Sequence, residues 1–401
     1  MPNAFLTDDI ITLEALSIFQ NNLAAAKHTD NRSSLFGGGD GTSNNGATVR
    51  IRKPNQYTVR TTATYSASDI TDEYVALTCD QQIGVDTFIT SADLALSLSD
   101  FSAQVIRPQV TLLANYVDAY VLSTAYQQVA NSVGAPGTVP STLQVYLDAG
   151  AKLDQYATPR DGQRSVIIGP LMQAAIVGGL SGLFNSQGKI GAQYNSGEMG
   201  EAIGFDWQMD QNVYGHTVGA YAGSPAVSGG SQTGSSLATT GGTGTVKKGD
   251  VFTITGVYAV NPVSKAATST LQQFTVTADQ TLGSPATIAI YPPITPTGAQ
   301  KTVSASPAGS APITFVGAAS TATAQGMAWH KSAIAIAFAP LQKPQGVDMS
   351  SVKTDKQLGV SMRFVRWYDG DNDRFKSRFD VLFGVKVVRP EWAVRIQSGA
   401  A

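Results

Sequence analysis

Cysteine is all but missing from this chain of 401 residues, with Cys79 standing alone. An internal disulfide is therefore excluded, and with it a stapled oxidised scaffold or a cysteine-rich metal site. Charge is scarce as well: Asp, Glu, Lys and Arg make up 14% of residues, against about 25% in ordinary soluble domains. With 27 basic and 29 acidic residues the net charge is -2, which gives no footprint for phosphate-driven nucleic-acid binding. No run of about 18 apolar residues occurs, so no ordinary helical membrane span is expected. The amino-terminal MPNAFLTDDI carries neither a basic nor an apolar signal region, and no secretory signal is expected from it. Three histidines, His28, His216 and His330, lie far apart. A metal cluster or a Ser/His/Asp triad has little support from such spacing, and the default reading is surface or strand-edge histidines.

What the chain has in abundance is Gly, at 40 residues, together with Ala, Ser and Thr. Such a chain either hides much of its surface in contacts or presents a neutral, hydroxyl-rich one. Both suit assemblies.

The longest clean helical pattern runs over 106–131. Val110, Leu113, Val117 and Val121 form one apolar stripe, Leu112 and Tyr116 open a second, and only Asp118 is charged between Pro108 and Asn131. At about 1.5 Å per residue such a helix reaches roughly 39 Å. Two apolar stripes imply that neighbours clasp it on two sides. Pro108 either opens it or kinks a helix that began near Asp100. A shorter amphipathic helix is expected over 7–27, with Thr7 as N-cap, Asp8 and Asp9 in the first turn, and Ile10, Leu13, Leu16 and Phe19 at helical spacing. Nothing near it in sequence covers it, so it should lie on another part of the fold or on another subunit.

The glycine run at 37–41 does not sit between a strand and a helix and ends in no Gly-Lys-Ser/Thr, so it reads as loop and not as a phosphate cradle. With strand alternation in ATVRIRKP and YTVRTTATY, residues 36–75 read as a long projecting hairpin that needs a partner surface. Two short strands are expected over 73–90, a helix over 141–156, a buried strand RSVIIG at 164–169 and an apolar helix from Pro170.

Composition changes near His216. From there to Gln325 the charged residues are Lys247, Lys248, Asp250, Lys265, Asp279 and Lys301 alone. Strand patterns in DVFTITGVY, QQFTVTAD and ATIAIYP predict an inserted all-β module with floppy loops. The main fold resumes with a strand in 329–341. Near the C-terminus, Asp369, Asp371, Asp373 and Asp380 imitate a calcium loop, but Arg374 holds the position that needs Gly and the last ligand is not Glu. A solvated turn is the expectation. Arg363, Arg366, Arg374, Lys376 and Arg378 alternate with these aspartates and predict ion pairing. Cys79 reads as a small buried hydrophobe. No catalytic, cofactor-binding or metal site is expected.

The run from Val360 to Ile396 resembles the C-terminal signature of major capsid proteins of tailed double-stranded-DNA phages, in particular the coat proteins of the phage P-twenty-two type. The matching residues are Arg366, Tyr368 and Asp369, then Ser377, Arg378, Phe379, Asp380, Leu382 and Gly384, and finally the RPEW of 389–392. GDVFTITGV, from Gly249 to Val257, is similar to a strand of that family's insertion. The resemblance implies an α+β tailed-phage capsid fold. Its parts would be an N-terminal arm (1–35), an extended loop (36–75) and a peripheral domain (76–160 and 351–401) around the spine helix. An axial domain (161–216 and 326–350) and an inserted β-barrel (217–325) would complete it. It further implies a non-enzymatic major capsid protein that forms pentamers and hexamers of an icosahedral shell around DNA. Its partners would be itself, a scaffolding protein, a portal protein, packaged DNA read without sequence specificity and a decoration protein, with no membrane. Its place would be the virion, with assembly in the host cytoplasm. A nanocompartment shell protein, or more distantly a glycan-binding surface protein, is the alternative.

Overall fold

The structure is a computed structural model that describes residues 8–36, 48–57, 59–60, 63–65, 72–90, 105–180, 200–355 and 358–399. The chain forms two compact units. One takes Met1–Ile51, Tyr74–Val121 and Ile334–Lys386; the other takes Arg52–Glu73, Leu122–Ala333 and Val387–Ala401. These limits cut across the domain limits expected from the sequence, because the peripheral and axial segments each contribute to both units.

The first unit is built on a six-stranded sheet in the order Asp30–Asn31, Ile334–Ala339, Arg374–Val387, Ser361–Asp369, Met349–Thr354, with Gln81–Thr90 also paired to Arg374–Val387. Strand alternation explains its two faces. On Arg374–Val387 the odd residues Phe379, Val381 and Phe383 are buried, while the even residues carry Arg374, Lys376, Arg378 and Asp380. Helix α1 (Asp8–Asn22) lies on this unit's own sheet: Asp9 accepts from Ser351 Oγ at 2.7 Å and pairs with Lys353 at 3.0 Å. Its buried positions are Ile11, Ala15, Leu16 and Phe19, whereas Leu13, expected on the apolar face, is 53% exposed. The expected N-cap Thr7 lies outside the described residues.

Helix α2 spans Arg107–Tyr126, shorter than expected by five residues at its C-terminal end. Gln127–Asn131 leave the helix because Asn131 is drawn to other backbone: its Nδ2 donates to the carbonyls of Glu391 and Ala393, both at 3.2 Å. Ser132–Val133 then pair in parallel with Arg395 and Ile396. The segment near Asp100, where an upstream helix would begin, lies outside the described residues. Within the first unit Tyr120 meets Phe383 edge to face at 5.4 Å, and Gln109 donates to Thr87 at 3.3 Å. The stripe of Val110, Leu113, Val117 and Val121 is sealed.

Asp118, the one acidic residue in that helix, is 1% exposed. Its carboxylate accepts from the backbone N–H groups of Ala24 at 2.6 Å and Ala26 at 2.9 Å. It therefore caps the chain where the arm leaves α1, a charge-assisted pair of bonds that offsets its burial. Orphaning a buried donor costs about 1–3 kcal/mol. Asp118→Ala is expected to lower stability by about 2 kcal/mol in urea denaturation, and an unchanged midpoint would show that the two amides find other acceptors.

Tyr57, Val59, Arg60 and residues 63–65 are not in a strand, contrary to the hairpin expected from YTVRTTATY. Val59 is 90% and Tyr65 84% exposed, so their side chains pack on no neighbour among the described residues. Thr48–Arg52 pairs instead with Tyr74–Thr78.

In the second unit a seven-stranded sheet runs Ser132–Val133, Ala393–Gln397, Ala322–His330, Arg164–Ile168, Phe205–Met209, Glu201–Ala202, with Tyr214–Thr217 also paired to Ala322–His330. Arg164–Ile168 and Ala393–Gln397 are buried at every position, as expected for strands covered on both faces. Helices α3 (Leu143–Gln155) and α4 (Pro170–Leu180) contribute Tyr146, Ala149, Leu153, Met172 and Ile176 to its core. Leu147 on α3 is 41% exposed.

A second seven-stranded sheet in this unit rolls into a barrel in the order Tyr221–Val227, Gly234–Val246, Ala286–Ile294, Ala267–Val276, Val251–Val260, Ile313–Phe315, with Gln280–Thr281 added to Gly234–Val246. An antiparallel bridge between Ala226 and Pro312, with Val227 N–H donating to Ala311 at 3.0 Å, brings the first strand to the last. Phe252, Ile254, Phe274, Val276, Ile288 and Ile290 fill it, the expected inward positions. Four of its strands, Tyr221–Val227, Gly234–Val246, Gln280–Thr281 and Ile313–Phe315, lie outside the three strand patterns read from the sequence. The body strand Ala322–His330 also begins inside the 217–325 stretch expected to be inserted.

Candidate functional site

Where the chain crosses between the seven-stranded body sheet and the barrel, polar side chains converge in the interior. Asp250, from the Gly-Asp at the head of GDVFTITGV, is 2% exposed. Its carboxylate accepts from His216 Nε2 at 2.8 Å, from the N–H of Lys247 at 2.8 Å, and from the N–H of Gly219 at 3.1 and 3.3 Å. With Nε2–H donating, His216 Nδ1 is left to accept from the Tyr126 hydroxyl at 3.4 Å. Tyr126, at the end of α2, stacks on Tyr214 at 4.4 Å. The paired crossings are tied by Val218 N–H to Thr321 at 3.0 Å and by the Tyr221 hydroxyl to the Gly317 carbonyl at 2.7 Å.

Arg395, on the last strand, is fully buried. Nη1 donates to the Gly249 carbonyl at 2.6 Å and Nη2 to Thr275 Oγ1 at 3.3 Å. Burial pushes its pKa down to about 10, with the charges of Tyr126 and Asp250 working the other way. A body strand is thus bonded through one guanidinium to the turn before Val251–Val260 and to the barrel strand Ala267–Val276.

The second polar cluster lies on the sheet of the first unit, over the C-terminal signature. Asp380 is 3% exposed and binds Arg363 Nη2 at 2.5 Å. Arg378 pairs with Asp86 at 2.6 Å, Arg366 with Asp348 at 2.6 Å, and Asp369 takes both Lys376 at 2.8 Å and Arg374 at 3.2 Å. Hydrogen bonds from Lys376 and Asn372 are the main reason the Asp369 carboxyl sits far below the usual carboxylate range. The expected ion pairing is therefore present, although Asp86 and Asp348 come from outside the signature.

The calcium-like aspartates do not converge. Asp369 and Asp373 belong to the turn, where Asp373 accepts from the Tyr368 hydroxyl at 2.9 Å, while Asp380 points into the sheet's charged ladder. Among the described residues no group of three potential metal ligands occurs. His216 and His330 are 6% and 3% exposed, which corrects the surface reading, while His216 lies in the edge strand Tyr214–Thr217 and His330 ends the strand Ala322–His330; His330 donates to Asp161 at 3.1 and 3.2 Å. Each is buried because a carboxylate satisfies it. Cys79 is buried as expected, and burial pushes its thiol up to about 12. The glycines at 37–41 lie outside the described residues. Sequence reasoning passed over Asp250 and Arg395; the scarcity of charge was the usable signal, since an isolated charge among apolar residues needs a buried partner.

The described surface is apolar in a specific place. On α2, Pro108, Leu112 and Tyr116 follow at every fourth position, with Leu112 61% and Tyr116 50% exposed. The second stripe, expected to be covered, is bare.

The family profile described as "P22 coat protein - gene protein 5" matches residues 6–397. The chain belongs to this coat protein family. It is a phage coat protein, a structural component of the virion capsid whose partners are copies of itself in a shell. Solved structures similar to this coat protein include one of Mycobacterium phage Che8, with 15% identity over 94% of this chain and 90% of that one and a TM-score of 0.45. The capsid of Ralstonia phage GP4 has 8% identity over 96% and 91% and a TM-score of 0.47. A virus-like particle from Pyrococcus furiosus has 8% identity over 97% and 98% and a TM-score of 0.43. A comparison with curated proteins returns no match. The family match carries the assignment, and the alternative of a nanocompartment shell is not better supported.

Proposed function

We propose that the coat protein assembles into pentamers and hexamers of an icosahedral shell enclosing double-stranded DNA, and that it has no enzymatic activity. A scaffolding protein guides closure, a portal protein takes a place in the shell, a decoration protein binds the finished surface, and assembly takes place in the host cytoplasm. On this reading the loop of 36–75 laps a neighbouring subunit, the segments 76–160 and 351–401 act as the peripheral part, 161–216 and 326–350 as the axial part, and 217–325 as the insertion. The arm of 1–35 is different, since its helix already rests on its own sheet.

The observation that supports this most directly is the bare stripe of Leu112 and Tyr116 on a helix otherwise sealed. A monomer leaves such a stripe in water, and a lapped shell removes it, in line with obligate interfaces that bury about 2,000–5,000 Å². Co-expression with a scaffolding protein and imaging by electron microscopy tests the reading: shells are expected, and a stable monomer that forms none under any condition refutes it. The doubly substituted Leu112→Asp, Tyr116→Asp protein is expected to keep the subunit's stability within about 0.5 kcal/mol, as exposed sites do, while the yield of shells falls at least tenfold.

A further inference from the structure

The RPEW turn that closes the C-terminal signature builds a cavity. Arg389, Pro390, Glu391 and Trp392 all line a space of about 440 Å³ in the second unit, together with the rings of Tyr156 and Tyr291. That volume falls in the range of small-ligand sites, which pair apolar walls with a few convergent polar groups. The turn is held rigidly: the N–H groups of Val388 and Arg389 donate to the Ala333 carbonyl at 2.8 and 3.1 Å, and Asn131 donates to the Glu391 carbonyl.

The unusual group in it is the Glu391 side chain. Among the described residues no Lys or Arg nitrogen forms an ion pair with its carboxylate, and the two cations that act on it, Lys53 and Arg389, are engaged elsewhere. Lys53 pairs with Glu73 at 3.8 Å, and the Arg389 guanidinium lies over the Trp392 ring at 4.0 Å. Burial raises the pKa of Glu391, against the lowering effects of its own backbone N–H and of Lys53 and Arg389. Its charge in turn raises the hydroxyls of Tyr291 and Tyr156, a smaller effect than their own burial. Glu391 and the two tyrosines line the same space. A half-buried carboxylate with no ion pair of its own is stabilised by a cation brought against it, and aromatic faces add attraction for that cation.

We propose that this cavity binds an aliphatic ammonium group against the Glu391 carboxylate, between the rings of Tyr156 and Tyr291. Such a group reaches it either as a small diamine or as the lysine side chain of a second copy of the chain.

The probes are n-butylamine and putrescine, titrated into the unassembled full-length protein by calorimetry, with n-butanol as the uncharged control. Saturable binding of both amines is expected, at least tenfold tighter than n-butanol. Glu391→Gln, checked for an unchanged denaturation midpoint, is expected to weaken it tenfold or more. Lys301→Ala, which removes a competing cation of the lining, is expected not to weaken it. Absence of binding, equal binding of n-butanol, or a Glu391→Gln protein that binds as well as the wild type overturns the proposal. Should Glu391→Gln misfold, Tyr291→Leu and Tyr156→Leu give the same reading through the loss of the rings. The same titration on assembled shells separates the sources. Amine uptake that persists there assigns the site to a small molecule. Uptake that is blocked in wild-type shells, together with shells of Glu391→Gln that dissociate at lower urea, assigns it to a neighbour's lysine.

Discussion

Asp250→Ala is expected to destabilise the second unit by about 3–5 kcal/mol, because three buried donors lose one acceptor at about 1–3 kcal/mol each. Four interactions end on this carboxylate: His216 Nε2, the amide of Lys247 and two contacts to the amide of Gly219. Alanine removes all of them and fills none of the space, so the His216 ring and two backbone donors lose their acceptor in an interior with little water. It also removes the negative charge that offsets buried Arg395, whose pKa burial already lowers. Asp250→Asn should cost less, because its carbonyl oxygen still accepts from one amide. The measurement is urea denaturation followed by tryptophan fluorescence, with Trp207, Trp329 and Trp392 in that unit. A double-mutant cycle with His216→Ala is expected to return a coupling above about 1 kcal/mol, as contacting residues do. A loss below about 1 kcal/mol for Asp250→Ala would mean that the junction of body and barrel does not depend on this carboxylate.

Gly384→Ala is the second substitution with a large expected effect, and it acts on the other unit. A Cβ there would lie 2.0 Å from the Thr78 carbonyl oxygen, 2.7 Å from its carbon and 2.9 Å from Cys79 Cα. All three are backbone atoms and cannot swing aside, so the strand Arg374–Val387 and the Tyr74–Thr78 segment must separate. Overpacking of cores costs about 1–3 kcal/mol and sometimes more; with only backbone to yield, a loss of about 3 kcal/mol is expected. Cys79 supplies a local reporter. In the native protein its thiol is buried, donates to the Ala337 carbonyl at 3.7 Å and titrates near 12, so it should resist thiol reagents. In Gly384→Ala its labelling should accelerate at least tenfold under native conditions. Gly370→Ala is the matched control, since the nearest atom to a Cβ there is the Tyr368 ring at 3.7 Å; it should leave both midpoint and labelling unchanged. Slow labelling with an unchanged midpoint in Gly384→Ala would show that the two segments are not pressed together.

Gly384 also shows how a motif residue becomes intelligible. In the sequence it is one letter of S-R-F-D-x-L-x-G, and nothing in its neighbours explains why a side chain should be missing. The structure supplies the reason, a chain crossing at contact distance. The RPEW residues are similar: their pattern points to a family, whereas the cavity they line exists only because 53–56, 156 and 291 are brought to the same place.

The barrel illustrates the opposite failure. Val251–Val260, Ala267–Val276 and Ala286–Ile294 were readable because Phe252, Ile254, Phe274, Val276, Ile288 and Ile290 alternate with hydroxyl and small residues. Gly234–Val246, GSSLATTGGTGTV, was not. Its glycines suit loops in the abstract, but at Gly244 φ is +84° and a Cβ would meet the Ala220 carbonyl oxygen at 2.1 Å. Glycine there marks close approach of a paired strand and not freedom of the chain. Local propensity cannot distinguish the two cases.

By itself the sequence determined the periodicities, and with them α2, the inward face of the barrel, the buried strand at 164–168 and the ion-paired C-terminal signature, because each of these depends on residues close together in the chain. Its poverty in charge and cysteine also excluded a stapled scaffold and a phosphate-binding surface, and the signature pointed to the family. Only the tertiary structure decided which stripe of α2 is sealed and which is bare, that α1 rests on its own sheet, and that Asp250, His216, Tyr126 and Arg395 meet. These depend on pairings across tens to hundreds of residues, whose energy comes from desolvation and contact at a distance in sequence, and no local pattern encodes that.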